Sequence, residues 1–190
     1  ASADLLPLVL QDSGRIQEED AAYKKKRHQK EGRRGPYPEI PLYTEAEAAR
    51  VSEFVKPISY ETPLALGGSV SLCFHEAGHI LGSAMIELTV KENNKPLKII
   101  FSGDIGQWNK PLVRDPTVFK QADAVIMEST YGDRNHEDPE DVATMLGKII
   151  SETAAAGGNV VIPVFAVERA QELMYYLSRL IRQRLVPRLP

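Results

Sequence analysis

Two histidines spaced four residues apart could contribute to a metal site in two different ways. His75 and His79 lie in the stretch FHEAGHILGSA and spell H-E-x-x-H together with Glu76. On a helix, this spacing places both imidazoles on one face and the glutamate beside the metal-bound water, as in zinc proteases. If the stretch instead leaves a β-strand, only His79 reaches a metal, from a loop. The two interpretations predict different chemistry.

The neighbouring sequence favours the strand and the loop. SVSLCFH alternates polar and apolar residues up to His75, as a half-buried strand does, and AMIELTVKE resumes that alternation shortly after His79. Gly78 and Gly82 would each cost about 1 kcal/mol inside a helix. A helix between the two strands would have barely one turn. We therefore expect a loop to present His79, and His75 to lie on the polar side of its strand, at the surface or in a supporting role.

Two carboxylates follow other predicted strands. Asp104 lies between Gly103 and Gly106 in FSGDIG, and Glu128 follows the apolar run AVIM. Glycines permit a close backbone approach to a metal, and a carboxylate at the end of a buried strand requires a partner. Each residue alone could simply begin a turn. Together with His79, they form a candidate site built from neighbouring strand ends.

The elements that must position these residues can be read from the periodicity of the sequence. The strands around SVSLCFHEA, AMIELTVKE and LKIIFSGD form a predicted β-meander, and ADAVIMEST reads as a strand buried on both faces. A helix over EDVATMLGKIISETAA ends at Gly157. NVVIPVF is predicted to be a second buried strand, followed by an amphipathic helix over AVERAQELMYYLSRLIRQRL.

The N-terminal third is predicted to be helical. A first helix capped by Ser2 runs into the charged stretch RIQEEDAAYKKKRHQK, and the Pro- and Gly-rich EGRRGPYPEIP forms a loop. Thr44 and Glu47 form a potential capping box for the next helix. The basic run over residues 24–34 could contact phosphates. A solvated helix end is favoured, because acidic residues precede the run and no aromatic residues interleave it.

Composition limits the class of protein. The 190 residues are 43% apolar and 26% charged, with a net charge of −3, which is typical of a globular domain without an overall basic signature. The single cysteine, Cys73, excludes an internal disulfide and fits a reducing cytoplasm. No apolar run is long enough to cross a membrane, and no signal peptide is recognisable. We expect a cytoplasmic protein without a membrane partner.

The motifs around these residues resemble those of the metallo-β-lactamase superfamily, and within it the β-CASP branch of RNA-processing nucleases. FHEAGHILGSA is similar to the third metal motif, IIFSGDIG to the fourth, and VIMESTYGDR to the acidic motif of the branch. GGNVVIPVFAVERAQELMYYL resembles the opening strand and helix of the β-CASP domain. The resemblance implies that His79 and Asp104 are metal ligands, and that Asp104 and Glu128 are catalytic.

The resemblance also implies a fold and its boundaries. Residues 1–148 would be part of a metallo-β-lactamase αββα sandwich lacking its N-terminal portion, and residues 149–190 the beginning of a β-CASP domain. The principal metal motif of the superfamily, H-x-H-x-D-H, does not occur in the chain, where the other histidines are His28 and His136. We therefore expect an internal fragment of a bacterial-type member, inactive in isolation, with incomplete metal occupancy.

The activity implied for the intact parent is zinc-dependent hydrolysis of RNA phosphodiester bonds. Two zinc ions would be bridged by Asp104, His79 would ligate one of them, and Glu128 would accept a hydrogen bond from a ligating histidine. RNA is the expected partner, and the sequence does not predict an oligomeric state. Two alternatives stay open: a hydrolase of small esters or thioesters that shares the third and fourth motifs, and a non-catalytic RNA-binding or scaffold homologue.

Overall fold

A computed structural model of the protein describes residues 1–92, 95–134 and 141–187. The chain forms two compact units, Ala1–Thr62 and Pro63–Pro190. Among the described residues, no helix combines the length and the apolar character that crossing a membrane requires.

The first unit is helical. Helix α1 spans Ser2–Glu31 and ends at Gly32, which adopts the left-handed conformation. Ser2 is the first residue of α1 rather than its cap, because the helix begins directly after Ala1. Helix α2 spans Glu45–Arg50 and continues into a 3₁₀ helix over Val51–Phe54.

The start of α2 packs closely against α1. At Gly14 of α1, an added Cβ would lie 2.8 Å from the backbone nitrogen of Glu45, so the contact has no room for a side chain. The predicted capping box is confirmed. The Thr44 hydroxyl accepts a hydrogen bond from the Glu47 amide, and the Glu47 carboxylate accepts one from the Thr44 amide.

The second unit contains a five-stranded sheet in the order β1-β2-β3-β4-β5. The strands are β1 Leu64–Gly67, β2 Val70–Glu76, β3 Ala84–Glu92, β4 Lys95–Phe101 and β5 Ala124–Ile126. β2, β3 and β4 pair antiparallel in chain order, which confirms the predicted meander. β5 pairs with β4 in parallel. The short edge strand β1 was not predicted from the sequence.

Two predictions about apolar strands are wrong. β5 is three residues long, and Val125 and Ile126 are 57% and 55% exposed rather than buried on both faces, because β5 is an edge strand that pairs only with β4. Residues 159–165 form no strand. An apolar run becomes a strand only when a neighbouring strand pairs with its backbone, and Phe165 is 84% exposed.

Two helices complete the second unit, as predicted. Helix α3 spans Val142–Ala155, is capped by the side chain of Asp141 and is followed by Gly157 at φ +69°. Helix α4 spans Arg169–Arg182. The two pack together where Leu180, almost fully buried, approaches Gly147.

Candidate active site

Three strands bring the candidate residues to one end of the sheet, where the carboxyl ends of these strands lie side by side. β2 and β4 both pair antiparallel with β3 and therefore run in the same direction, and β5 is parallel to β4. His79, Asp104 and Glu128 follow the carboxyl ends of β2, β4 and β5. His79 Nε2 lies 3.8 Å from Asp104 Oδ2, and the two side chains are 43% and 75% exposed. The structure thus places an imidazole beside a carboxylate that is open to solvent.

The loop after β2 excludes the protease interpretation of the two histidines. β2 continues through Glu76, and Gly78 and Gly82 have φ values of +64° and +85°, which no α-helix contains. The hydroxyl of Ser83 accepts hydrogen bonds from the amides of His79 and Ile80, at 3.1 and 3.2 Å. The prediction that a loop presents His79 is confirmed.

Backbone contacts fix this loop against the loop after β4. The Gly106 amide donates to the Ala77 carbonyl at 2.9 Å, and a Cβ added at Gly106 would lie 1.6 Å from the Gly78 carbonyl oxygen. On its other side, Gly78 meets Arg114 and Pro116, since an added Cβ would lie 2.7 Å from the Arg114 carbonyl oxygen. Glycine is required at both positions by close approach, and at Gly78 also by its backbone conformation.

Glu128 holds the backbone next to Asp104. Its carboxylate accepts a 2.7 Å hydrogen bond from the Ile105 amide. The pKa of Glu128 is lowered below its ordinary value by this hydrogen bond, by a second one from the Thr130 hydroxyl, and by the nearby His79. The Glu128 amide in turn donates to the hydroxyl of the buried Ser102. Glu128 therefore acts on the site through Ile105, the residue after Asp104.

His75 is buried rather than on a polar surface. It is 8% exposed, and its ring packs edge-on against Phe119 with 4.9 Å between ring centroids. Its Nε2 lies 3.5 Å from a carboxylate oxygen of Glu87, which also pairs with Lys98 at 3.1 Å. Alternation in β2 could not reveal this burial, because Phe119, which packs on His75, lies far along the chain. His75 therefore lies buried within β2, whereas His79 lies in the loop that follows it.

The loop after β4 is also tied to α4 by an ion pair that the sequence does not indicate. Lys110 Nζ lies 3.0 and 3.3 Å from the two carboxylate oxygens of Glu172, and both side chains are largely buried. From the sequence, Glu172 is merely an acidic residue in the first turn of a helix. The two residues are 62 positions apart, and no local pattern connects them.

The imidazole of His79 and the carboxylate of Asp104 could supply part of a zinc site. Zinc binds imidazole nitrogen and carboxylate oxygen at about 2.0–2.2 Å, so two donors 3.8 Å apart can reach one cation. Zinc sites usually have four ligands, and His79 and Asp104 supply two. Of the other histidines, His28 pairs with Glu39 in the first unit, and His136 lies outside the described residues.

Proteins with similar sequences come from all three domains of life. The chain is 36% identical over 137 residues to Ribonuclease TTHA0252 of Thermus thermophilus, and 35% identical over 168 residues to transcription termination factor FttA of Methanosarcina mazei. It is 34% identical over 138 residues to cleavage and polyadenylation specificity factor 73 of Drosophila melanogaster. The chain is a homologue of the β-CASP ribonucleases of the metallo-β-lactamase superfamily.

The similarity covers most of this chain but a smaller part of each β-CASP relative. The three alignments include 72%, 85% and 72% of the chain, and 31%, 24% and 19% of the respective relatives. No protein-family model matches the chain. The mixed α/β unit with its five-stranded sheet fits part of a metallo-β-lactamase fold.

Proposed function

We propose that this chain belongs to a metal-dependent ribonuclease and supplies one side of its active site. The observation that carries the proposal is the 3.8 Å approach of His79 to Asp104, with Glu128 bonded to the adjoining Ile105 amide. Relatives that bear the name ribonuclease support RNA as the substrate class. We assign residues 1–148 to a metallo-β-lactamase domain and 149–190 to the start of a β-CASP domain, in a cytoplasmic protein.

His79 and Asp104 would hold zinc in this assignment. When bound, the cation supplies Lewis-acid chemistry, which favours deprotonation of water and offsets the negative charge that develops on a phosphate during hydrolysis. Neutral imidazole and anionic carboxylate both suit a borderline-soft cation. Asp104 is the stronger electrostatic partner, because a carboxylate ligand is anionic whereas an imidazole ligand is neutral.

Glu128 acts in this proposal as a positioning residue. Its ionised carboxylate holds the Ile105 amide and so limits the movement of the neighbouring Asp104. The Gly106 contact with Gly78 limits the movement of the His79 loop in the same way. In this way the side chains of His79 and Asp104 keep their separation, although Glu128 acts on them only through the backbone.

The test is cleavage of a single-stranded RNA by the full-length protein, with Asp104→Asn and His79→Ala as variants. Both substitutions should lower the rate at least a hundredfold and reduce the zinc content measured by mass spectrometry. Glu152→Gln is the matched control, since it neutralises an exposed carboxylate on α3 and should change neither quantity.

The alternatives give different results in the same assay. Hydrolysis of a thioester but not of RNA would identify a hydrolase of small substrates. Binding of RNA without cleavage in the presence of zinc would identify a non-catalytic homologue. Unchanged cleavage by Asp104→Asn would refute the role of Asp104.

A further inference from the structure

The loop between α1 and α2 folds back along α1 and is fixed to it at three points. The imidazole of His28 pairs with the carboxylate of Glu39. The Leu42 amide donates to the Gln17 side chain at 3.0 Å. Gly35 packs against the His28 ring, since an added Cβ would lie 2.8 Å from Cε1. The loop thereby has a defined position on the surface of the helix.

Two adjoining clefts lie between this loop and α1. The larger, of about 390 Å³, is lined by Tyr37, Leu42 and three prolines of the loop, together with Lys24 on α1. The smaller, of about 340 Å³, is lined mainly by polar and basic residues, which include Lys25, Arg33 and Arg34. His28 and Glu39 line both clefts and join them. One cleft thus offers apolar and aromatic surface, and the other offers positive charge.

Positive charge is concentrated around these clefts although the chain as a whole is acidic. Residues 24–34 contain seven lysines and arginines: Lys24, Lys25, Lys26, Arg27, Lys30, Arg33 and Arg34. Glu31 pairs with Arg27 and Arg33. Across the described parts of the chain, the remaining five cations of this run form no ion pair. Their charge is available to an anionic ligand.

An exposed aromatic ring completes the arrangement. Tyr37 is 82% exposed and lines the cleft that also contains Lys24 and His28. Tyr37 follows the basic run by three residues, and the folded loop places it in the same cleft as Lys24 and His28 of α1. Aromatic rings next to a basic groove are the elements by which proteins bind single-stranded nucleic acids, with bases stacked on the rings and phosphates on the cations.

We propose that these two clefts bind a single-stranded segment of RNA. Lys24, Lys25 and Arg34 contact its phosphates, and one base stacks on Tyr37. The choice of RNA over other polyanions rests on the proposed function, whereas the binding mode rests on the clefts themselves. The surface consists entirely of residues of the first unit and includes none of the residues assigned to the active site.

The experiment measures binding of a fluorescein-labelled single-stranded RNA by anisotropy at several salt concentrations. It uses full-length protein carrying Asp104→Asn, so that cleavage does not consume the ligand. Replacing Lys24, Lys25 and Arg34 together with alanine should weaken binding at least tenfold. It should also reduce the slope of the logarithm of the binding constant against the logarithm of the salt concentration by about 2, as expected for three lost phosphate contacts on a single strand. Tyr37→Ala should weaken binding about tenfold, whereas Tyr37→Phe should retain it.

The matched control removes three exposed cations elsewhere, Lys56, Lys120 and Arg182, and should change affinity less than threefold. Equal losses in the control and the cleft variants would overturn the proposal. Normal binding by the Tyr37→Ala protein would also overturn it, as would equal affinities for single-stranded and double-stranded RNA. Either result would indicate a nonspecific polyanion surface. Circular dichroism checks that each variant is folded.

The experiment also separates this proposal from the proposed nuclease function. If the protein binds RNA through these clefts but the version with Asp104 intact does not cleave it, the proposed nuclease function fails and this proposal stands.

Discussion

The loop that presents His79 and the loop that lies on α1 are fixed in place by different means. The His79 loop is held mainly by backbone atoms, with Gly78 and Gly106 in contact and a hydrogen bond from Gly106 to Ala77. The loop on α1 is held largely by side chains, through the pairing of His28 with Glu39 and the bond from Leu42 to Gln17.

This difference suits the two tasks proposed for these loops. Backbone contacts without intervening side chains leave little freedom, so they can maintain a ligand geometry closely. Side-chain contacts at an exposed surface tolerate small movements, and they suit the binding of a flexible strand. Substitutions in the two loops should therefore have very different effects on stability.

The largest effect is expected for Gly106→Ala. The added methyl group would overlap the Gly78 carbonyl, where the contacting atoms are backbone and cannot rotate away. We expect a loss of about 3 kcal/mol in the free energy of unfolding, at the upper end of the cost of overpacking. Urea denaturation measures this loss. Gly68→Ala is the control, because an added Cβ meets no atom within 4 Å there, and only its positive φ adds about 1 kcal/mol of strain.

A smaller effect is expected for Glu172→Gln, which leaves Lys110 largely buried without a charged partner. The predicted loss is about 2 kcal/mol, below the range for fully buried pairs because Lys110 retains some contact with solvent. Asp133→Asn, in an exposed pair with Arg134, should cost less than about 0.5 kcal/mol. The double variant Lys110→Met, Glu172→Leu should recover much of the loss. No recovery would show that packing rather than charge pairing stabilises this contact.

Glu128→Gln should have an effect that depends on pH. Because the folded state lowers the pKa of Glu128, the ionised carboxylate stabilises the protein above its ordinary pKa of 4.5. That contribution is lost as the pH falls through the lowered value in the folded state. The variant should be less stable than wild type by about 1 kcal/mol near neutral pH, and equally stable in acid. Urea denaturation at both pH values measures the difference, and a constant difference would contradict the ionised hydrogen bond to Ile105.

The smallest effect is expected for Gln17→Ala in the loop on α1. It removes one hydrogen-bond acceptor from the exposed Leu42 amide, which can bond to water instead, so the loss should be about 0.5 kcal/mol. Gln17→Glu keeps an acceptor oxygen and should restore stability. A loss as large as that of Gly106→Ala would remove the distinction between the two loops.

Local signals in the sequence were sufficient for much of the fold. Alternation predicted the meander of β2, β3 and β4, and the capping box of Thr44 with Glu47 is present. The glycines on either side of His79 and the strands that bracket it predicted a loop. These features depend on neighbours within a few residues, so composition and spacing contain the necessary information.

Features that depend on distant parts of the chain were missed. The burial of His75 depends on Phe119, and the ion pair of Lys110 depends on Glu172. Residues 159–165 have the composition of a strand, but none of the described strands pairs with them.

The hydrogen bond from the Thr117 amide to the Glu76 carbonyl has a consequence for folding kinetics. It joins the end of β2 to a segment that follows β4, so the final shape of the His79 loop requires a contact across the whole meander. We expect this long-range contact to form after the folding transition state, with a φ-value near 0. Substitutions at Gly106 should therefore accelerate unfolding and leave the refolding rate nearly unchanged.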